Sequence, residues 1–391
     1  MLQLTKFEWI KILKNRTLIG ALVVTSFLLF GIFYVRYYQS QSNYAVREMV
    51  SEGYTTRIER LVEEKYSGDL TDEKVQLIVS DFMDLFQDNI NIKNGWYDGP
   101  FYPFYWEIVH AFVPRKKVDI FITMIERVQA GERMSVEEVP IIPLADKQFT
   151  TFDKPLTIGN YGPWTDLYKA SGDIYLLLAL LGILVCSLVF ADDTSRNMNQ
   201  ILFTTRYGRR QSLFSKLLAG IGVTSVIFLL VHIINFIVFM AMNDTSGWKS
   251  SIQANFAMKI YDFPMEWNHL QVYFWVIALQ FFGVLFIAAS SFLVSSWVKA
   301  PLSAFVAATG LYLLPAILMQ ALKTSSLAPF FHFFPVNQGN VKNMLVLLSG
   351  KEGLLNSTFT GNTFLLFVFL ISGHLIFNLL SYGRMKSWSF K

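Results

Sequence analysis

Residues 190–218 read FADDTSRNMNQILFTTRYGRRQSLFSKLL and lie between two long apolar runs. The stretch opens with two acids and continues with five bases: Asp192, Asp193, Arg196, Arg206, Arg209, Arg210 and Lys216. Lys and Arg are enriched in the short cytoplasmic loops of multi-pass membrane proteins. The pattern therefore predicts a cytoplasmic loop at 192–218 between two membrane-spanning helices.

The composition also indicates a membrane protein. Of the 391 residues, 53% are hydrophobic and 16% are charged, whereas soluble domains carry about 25% charged residues. The single cysteine, Cys186, lies in an apolar run, which excludes an intrachain disulfide framework and a Cys-rich metal site. We predict an all-α polytopic membrane protein.

A spanning helix needs about 20 apolar residues. Six runs meet this length and predict spans 1 to 6 at residues 17–36, 173–191, 219–242, 270–296, 301–321 and 362–382. The first run is too long for a usual signal peptide and lacks a small-residue cleavage site, so we expect it to remain uncleaved. Every basic cluster beside a short loop falls on one face when the N-terminus is inside. Both termini, including the tail at 383–391, are therefore predicted in the cytoplasm. A bacterial plasma membrane is the expected location.

Residues 1–16 predict an amphipathic helix lying along the inner membrane surface. Leu2, Trp9 and Leu13 share one helical face, and Thr5 with Glu8 matches a capping box. The alternative is an ordinary basic flank that only sets the topology.

Residues 37–172 predict a mainly helical external domain between spans 1 and 2. Thr71 is a candidate N-cap, and apolar residues follow it at helical spacing: Val75, Ile78, Val79, Phe82, Leu85 and Phe86. A second helix is predicted at 116–130. Between spans 5 and 6, residues 326–350 are aromatic and broken by prolines, which predicts an external re-entrant or interfacial segment.

Several chemistries are not indicated. The sequence contains neither a P-loop motif nor H-E-x-x-H. No Asp, Glu, Lys or Arg lies well inside a predicted span, as coupling to an ion gradient would require. We predict no catalytic residue, metal site or cofactor on this chain.

Amide and imidazole side chains are the polar groups inside the predicted spans: His232, Asn235, Gln280, His374 and Asn378. They could line a substrate pathway. They could also form hydrogen bonds between helices, each typically about 0.6 kcal/mol. The sequence favours hydrogen bonds between helices.

The order of these features resembles the permease subunits of ABC-2-type transporters. In 190–218 a span ends, an acid follows at once, and Arg and then Lys precede the next span. The resemblance also covers the six spans, the amphipathic N-terminal helix and the broken segment before span 6. It implies that the loop is a coupling helix and that its charged residues contact an ATPase: Asp192, Asp193, Arg206, Arg209, Arg210 and Lys216. Asp192 and Asp193 could also pair with Arg209 or Arg210.

The resemblance further implies the partners. A second permease, identical or homologous, and a pair of separately encoded ATPase subunits that bind ATP and Mg would complete the transporter in the lipid bilayer. The expected activity is export of an amphipathic, peptide or lipid-like substrate, and no nucleic-acid partner is expected.

Two other functions remain open. A membrane sensor or immunity protein that binds an extracellular ligand through 37–172 would share this topology. A membrane enzyme is disfavoured because no nucleophile–base arrangement is visible.

Overall fold

The computed structural model describes residues 2–39, 54–99, 102–114, 119–198, 204, 208–322, 324–350 and 356–387. The chain is mostly helical, with 75% helix and little sheet. Among these residues, six helices are long and apolar enough to cross a membrane, by length and composition, in agreement with the number of predicted spans. Spans 1 to 6 are Arg16–Gln39, Gly162–Ser195, Arg210–Met242, His269–Trp297, Pro301–Ala321 and Phe359–Lys386.

Spans 2 and 3 begin earlier than predicted, at Gly162 and Arg210. Hydropathy locates the point where a helix becomes apolar, but helical hydrogen bonding continues through polar residues such as Asp166 and Lys169. Span 5 has the predicted bounds because Pro301 stands at its first position, where a missing N–H costs nothing.

A helix at Leu2–Leu13 precedes span 1, as predicted. It begins before Thr5, which therefore lies inside the helix and cannot serve as its N-cap, so the predicted capping box is wrong. The position of this helix on the membrane surface stays a prediction.

The chain divides into two compact units. The membrane unit comprises Met1–Ile32, Lys169–Ile237 and Trp275–Lys391, and the insertion unit comprises Phe33–Tyr168 and Val238–Phe274. The insertion unit thus contains the polypeptide between spans 3 and 4 as well as most of the predicted external domain.

Span 2 forms the centre of the membrane unit. In its most apolar window 72% of residues are buried, against 11% for spans 1 and 6. Its Val185 and Phe190 pack with Val223 of span 3 and Phe292 of span 4 in one apolar cluster. Spans 1 and 6 therefore keep broad apolar faces that lipid or another chain can cover.

The insertion unit is built from short helices and two-residue strands. In chain order these are α1 Tyr54–Tyr66, β1 Gly68–Asp69, α2 Asp72–Asp88, β2 Ile90–Asn91, β3 Trp96–Tyr97, α3 Pro103–Phe112, α4 Ile120–Gln129 and β4 Thr157–Ile158. β1 pairs antiparallel with β4, with Gly68 opposite Ile158, and β2 pairs antiparallel with β3.

Helix α2 confirms the sequence prediction in detail. Thr71 caps it by accepting a hydrogen bond from the Lys74 amide at 3.2 Å. The predicted apolar face is buried in the core of the unit, except that Leu85 is only half-buried. Helix α4 begins at Ile120, later than predicted, and residues 115–118 lie outside the described part of the chain.

The segment before span 6 is broken, as predicted. It contains the helices α5 Ala328–Phe331 and α6 Val341–Leu348, with a 3₁₀ turn at Pro335–Gly339 between them. The turn packs so closely on span 2 that a Cβ at Gly172 would lie 2.0 Å from the Gly339 carbonyl oxygen. Its backbone is also bound, because the Tyr175 hydroxyl donates to the carbonyl oxygen of Pro335 at 2.9 Å. Protein groups thus satisfy part of this non-helical backbone, and its position relative to the membrane stays a prediction.

Candidate functional site

A buried ion network joins three elements at one end of the membrane unit. Asp193 of span 2 is fully buried and forms ion pairs with Lys11 of the N-terminal helix and Lys216 of span 3. Lys216 is itself 1% exposed. We call the region formed by residues 2–16, 190–196 and 208–217 the basic end of the membrane unit.

Span 2 holds Asp193 in a fixed position. The helix continues through this residue to Ser195. Two residues earlier, the Ala191 amide donates to the Ser295 hydroxyl of span 4 at 3.0 Å, and that hydroxyl donates to the Ser187 carbonyl oxygen at 2.8 Å. Because Ser295 joins spans 2 and 4 directly before the acid, the Asp193 carboxylate has little freedom to leave its lysines.

The N-terminal helix is docked by packing as well as by charge. The Trp9 ring lies against Gly222 of span 3, where an added Cβ would come within 2.5 Å of the ring. Ile12 is 7% exposed and belongs to the apolar cluster that includes Leu18 and Val189. Movement of spans 2 and 3 would therefore be transmitted to this helix.

Asp192 has a different environment from its neighbour. Its carboxylate accepts a hydrogen bond from Arg196 one turn later at 3.1 Å. The side chains of Asp192 and Arg196 are 14% and 64% exposed. This pair lies at the surface, where ion pairs typically contribute about 0.2–1 kcal/mol.

The arginines before span 3 were possible partners for these acids. Arg210 is exposed and forms no ion pair with any residue that the structure describes, so of the two bases that could pair with Asp192 or Asp193 this one does not. The acids already have nearer partners in Arg196, Lys11 and Lys216. Arg206 and the side chain of Arg209 lie outside the described residues.

Three of the residues proposed for the pathway lie in span 3 or span 4. His232 is 4% exposed, and its ring centroid lies 4.4 Å from that of Phe228 with the two rings tilted by 49°. Neither ring nitrogen has a hydrogen-bond partner among the described residues. Asn235 and Gln280 are fully buried. Gln280 donates to the carbonyl oxygen of Gln338 at 3.3 Å, so it binds the turn before α6.

The span 6 pair lies between helices. His374 Nδ1 lies 2.8 Å from the Leu285 carbonyl oxygen of span 4. A carbonyl can only accept, so Nδ1 carries the proton in this contact. Asn378 donates to the backbone oxygen of His374 at 2.8 Å. The His374 contact with Leu285 corresponds to the interhelical alternative, and the Asn378 bond lies within span 6. The pathway role of His232 stays a prediction.

Sequence reasoning missed Lys11, Ser295 and Gln338 as parts of these sites. Lys11 is one of several bases in the N-terminal segment, and Ser295 is one of four serines in span 4. No local pattern marks them, because each becomes relevant only through contact with a distant segment of the chain.

The six spans and the buried charged network at one end define a multi-pass helical membrane protein. The model of the ABC-2 family transporter proteins matches residues 2–388, and the chain belongs to this family. It is therefore a membrane subunit of an ABC-type transporter. No curated protein matches the chain.

Proposed function

We propose that this chain is the permease of an ATP-driven exporter whose ATPase is a separate protein. The sequence contains no P-loop of its own, so ATP and Mg would bind on the partner. The observation that carries the proposal is the buried position of Asp193 between the N-terminal helix, span 2 and span 3.

This position suits the transmission of force. A partner that moves the polypeptide between spans 2 and 3 would move Asp193 and Lys216 together, because both flank it and bind each other. Lys11 would follow, since separating it from Asp193 would weaken a partly buried charge pair. Asp193 and Lys216 would thus connect spans 2 and 3 inside the protein. Arg210 is exposed, and among the described residues it is our candidate for direct contact with an ATPase.

The proposed substrate is an amphipathic, peptide or lipid-like molecule. The interior of the bundle offers apolar side chains with isolated polar groups such as His232. A second permease subunit would complete the pathway by covering the apolar faces that spans 1 and 6 leave open.

Photo-crosslinking tests the ATPase contact. A photoreactive residue replaces Arg210 in one variant and Leu379, which is 69% exposed in span 6, in the control. We expect irradiation of native membranes to join position 210, and not 379, to a chain that 8-azido-ATP also labels. Addition of excess unlabelled ATPase partner should abolish this crosslinked product, which would show that the contact is specific. If no nucleotide-binding chain is captured from 210, the coupling proposal fails.

Cysteine labelling tests the proposed topology. After Cys186, which is fully buried, is replaced by Ser, single cysteines are placed at Ser67 and Arg210, both exposed positions. Ser212 is less suitable because it is only 9% exposed. An impermeant thiol reagent added to intact cells should label position 67 and not 210, and the reverse pattern would contradict cytoplasmic termini.

A non-transporting sensor is the second candidate. It would share the labelling pattern but would not be captured with a nucleotide-binding chain from position 210. The crosslinking result therefore separates the two functions.

A further inference from the structure

A cavity of about 630 Å³ opens at the basic end of the membrane unit. Its walls come from the junction between the N-terminal helix and span 1, the end of span 2 and the start of span 5. One part of the wall is cationic and the other is apolar, and the two parts adjoin.

The cationic part carries more positive charge than the protein neutralises. Four bases and one acid line it: Lys11, Lys14, Arg16, Arg196 and Asp192. Asp192 is bound to Arg196, and Lys11 shares the single carboxylate of Asp193 with Lys216. Lys14 and Arg16 form no ion pair with any described residue, although both are exposed at the same cavity.

Side chains rather than helix amides supply the attraction for an anion. Asn15 caps the start of span 1 by accepting hydrogen bonds from the amides of Thr17 at 2.9 Å and Leu18 at 3.4 Å. These amides are therefore already bonded. The binding capacity of the cavity lies in the Lys14 ammonium group and the Arg16 guanidinium group.

The apolar part reaches the exposed surface of span 5. Leu184 and Leu188 of span 2 and Leu302 and Phe305 of span 5 form it. Leu302 is 72% exposed, and an exposed apolar side chain on a spanning helix contacts acyl chains. A soluble anion would leave this wall uncovered, whereas an anionic lipid would cover it with its hydrocarbon chain.

We propose that this cavity binds an anionic membrane phospholipid. Lys14 and Arg16 contact its phosphate, and an acyl chain lies along Leu302 and Phe305. Basic pockets beside spanning helices attract anionic headgroups by charge, and here Arg16 can bond phosphate oxygens through two N–H groups at once. The bound lipid is separate from the transported substrate and requires no ATPase.

Native mass spectrometry of the full chain in detergent tests the proposal. Phosphatidylglycerol and phosphatidylcholine with the same acyl chains are the probes. We expect phosphatidylglycerol to bind at least tenfold more tightly. Lys14→Gln with Arg16→Gln should weaken its binding about 30-fold, the loss expected when two bases near a headgroup are neutralised.

A charge-matched control is Lys299→Gln with Lys386→Gln, which removes two exposed bases that do not line the cavity. Its affinity should stay within twofold of the wild type. The exchange Lys14→Arg with Arg16→Lys keeps both charges and should keep the lipid preference. This result would show that the neutral variant loses affinity through charge and not through a folding defect. An equal loss in the control, or unchanged binding in the neutral double variant, would overturn the proposal.

Two further measurements distinguish binding of a lipid from binding of free phosphate. Inorganic phosphate at the lipid concentration should not displace phosphatidylglycerol, because it cannot cover the apolar wall. Phe305→Ala should weaken both lipids while leaving the preference for phosphatidylglycerol. Equal competition by inorganic phosphate would refute the lipid assignment.

Discussion

Removal of the Asp193 charge should be far more damaging than removal of the charge next to it. Asp193→Asn removes the ion-pair partner of Lys216. Lys216 is 1% exposed, so its charge would remain buried without that partner. Breaking a buried ion pair from one side typically costs about 3–5 kcal/mol. Asp192→Asn removes the same charge but breaks a surface pair, at about 0.2–1 kcal/mol.

Replacing Lys11 should cost less stability than replacing Asp193. Lys11→Gln leaves Asp193 bound to Lys216, and the Lys11 side chain is already 29% exposed, so we expect a smaller loss than for Asp193→Asn. The double variant Asp193→Leu with Lys216→Met removes both fully buried charges. It should be more stable than Asp193→Asn alone, because replacing a buried pair by apolar residues is often nearly neutral.

Unfolding in mixed micelles with increasing SDS, followed by tryptophan fluorescence, measures these free energies. Size-exclusion chromatography before titration confirms that each variant starts folded. The reasoning is refuted if Asp193→Asn stays within about 1 kcal/mol of the wild type. It is equally refuted if the apolar double variant is less stable than Asp193→Asn.

Glycine and carboxyl positions give three further predictions. Gly172→Ala would place its Cβ 2.0 Å from the Gly339 carbonyl oxygen and should destabilise the membrane unit by about 1–3 kcal/mol in the same titration. Gly31→Ala has open space within span 1 and should leave stability unchanged or raise it by up to about 1 kcal/mol; a loss as large as that of Gly172→Ala would contradict the packing argument. Burial, assisted by the carboxylates of Asp244 and Asp166, raises the pKa of Glu59 to about 8. The folded state then holds this proton more tightly than the unfolded state, so Glu59 should make α1 lose stability as pH rises from about 4.5 to about 8. Hydrogen exchange of α1 amides, corrected for intrinsic rates, should show this loss in the wild type and less of it in Glu59→Gln, and equal slopes would disprove the assignment.

The sequence predicted the six spans because each contains an apolar run of sufficient length. The sequence predicted the ends of the spans less accurately where a helix continues beyond its apolar run. Span 2 begins at Gly162, and Asp166 and Lys169 in its first turns have no hydropathy signal that separates a helix from a loop. Helix α2 was predicted in detail because the Thr71 cap and the apolar spacing are both local.

The site was only partly predictable for a geometric reason. Asp192 and Asp193 are adjacent, so on a helix they point about 100° apart. The sequence therefore implies that they face different surroundings but not which one is buried. That outcome depends on Lys11 and Lys216, which reach Asp193 from other segments. The sequence left open whether Arg210 pairs with the acids or contacts an ATPase, and Lys11 and Lys216 are the described partners of Asp193.

Lys11 connects the two sites at the basic end. It binds Asp193 in the ion network and lines the cavity proposed for the lipid. A phosphate held by Lys14 and Arg16 would also lie near Lys11 and compete with Asp193 for its charge. Because Asp193 keeps Lys216 in either case, the connection between spans 2 and 3 would persist while the hold on the N-terminal helix changed. Lipid occupancy should therefore alter the mobility of that helix more than the packing of the spans, and a spin label at Leu2, which is 88% exposed, would report this difference.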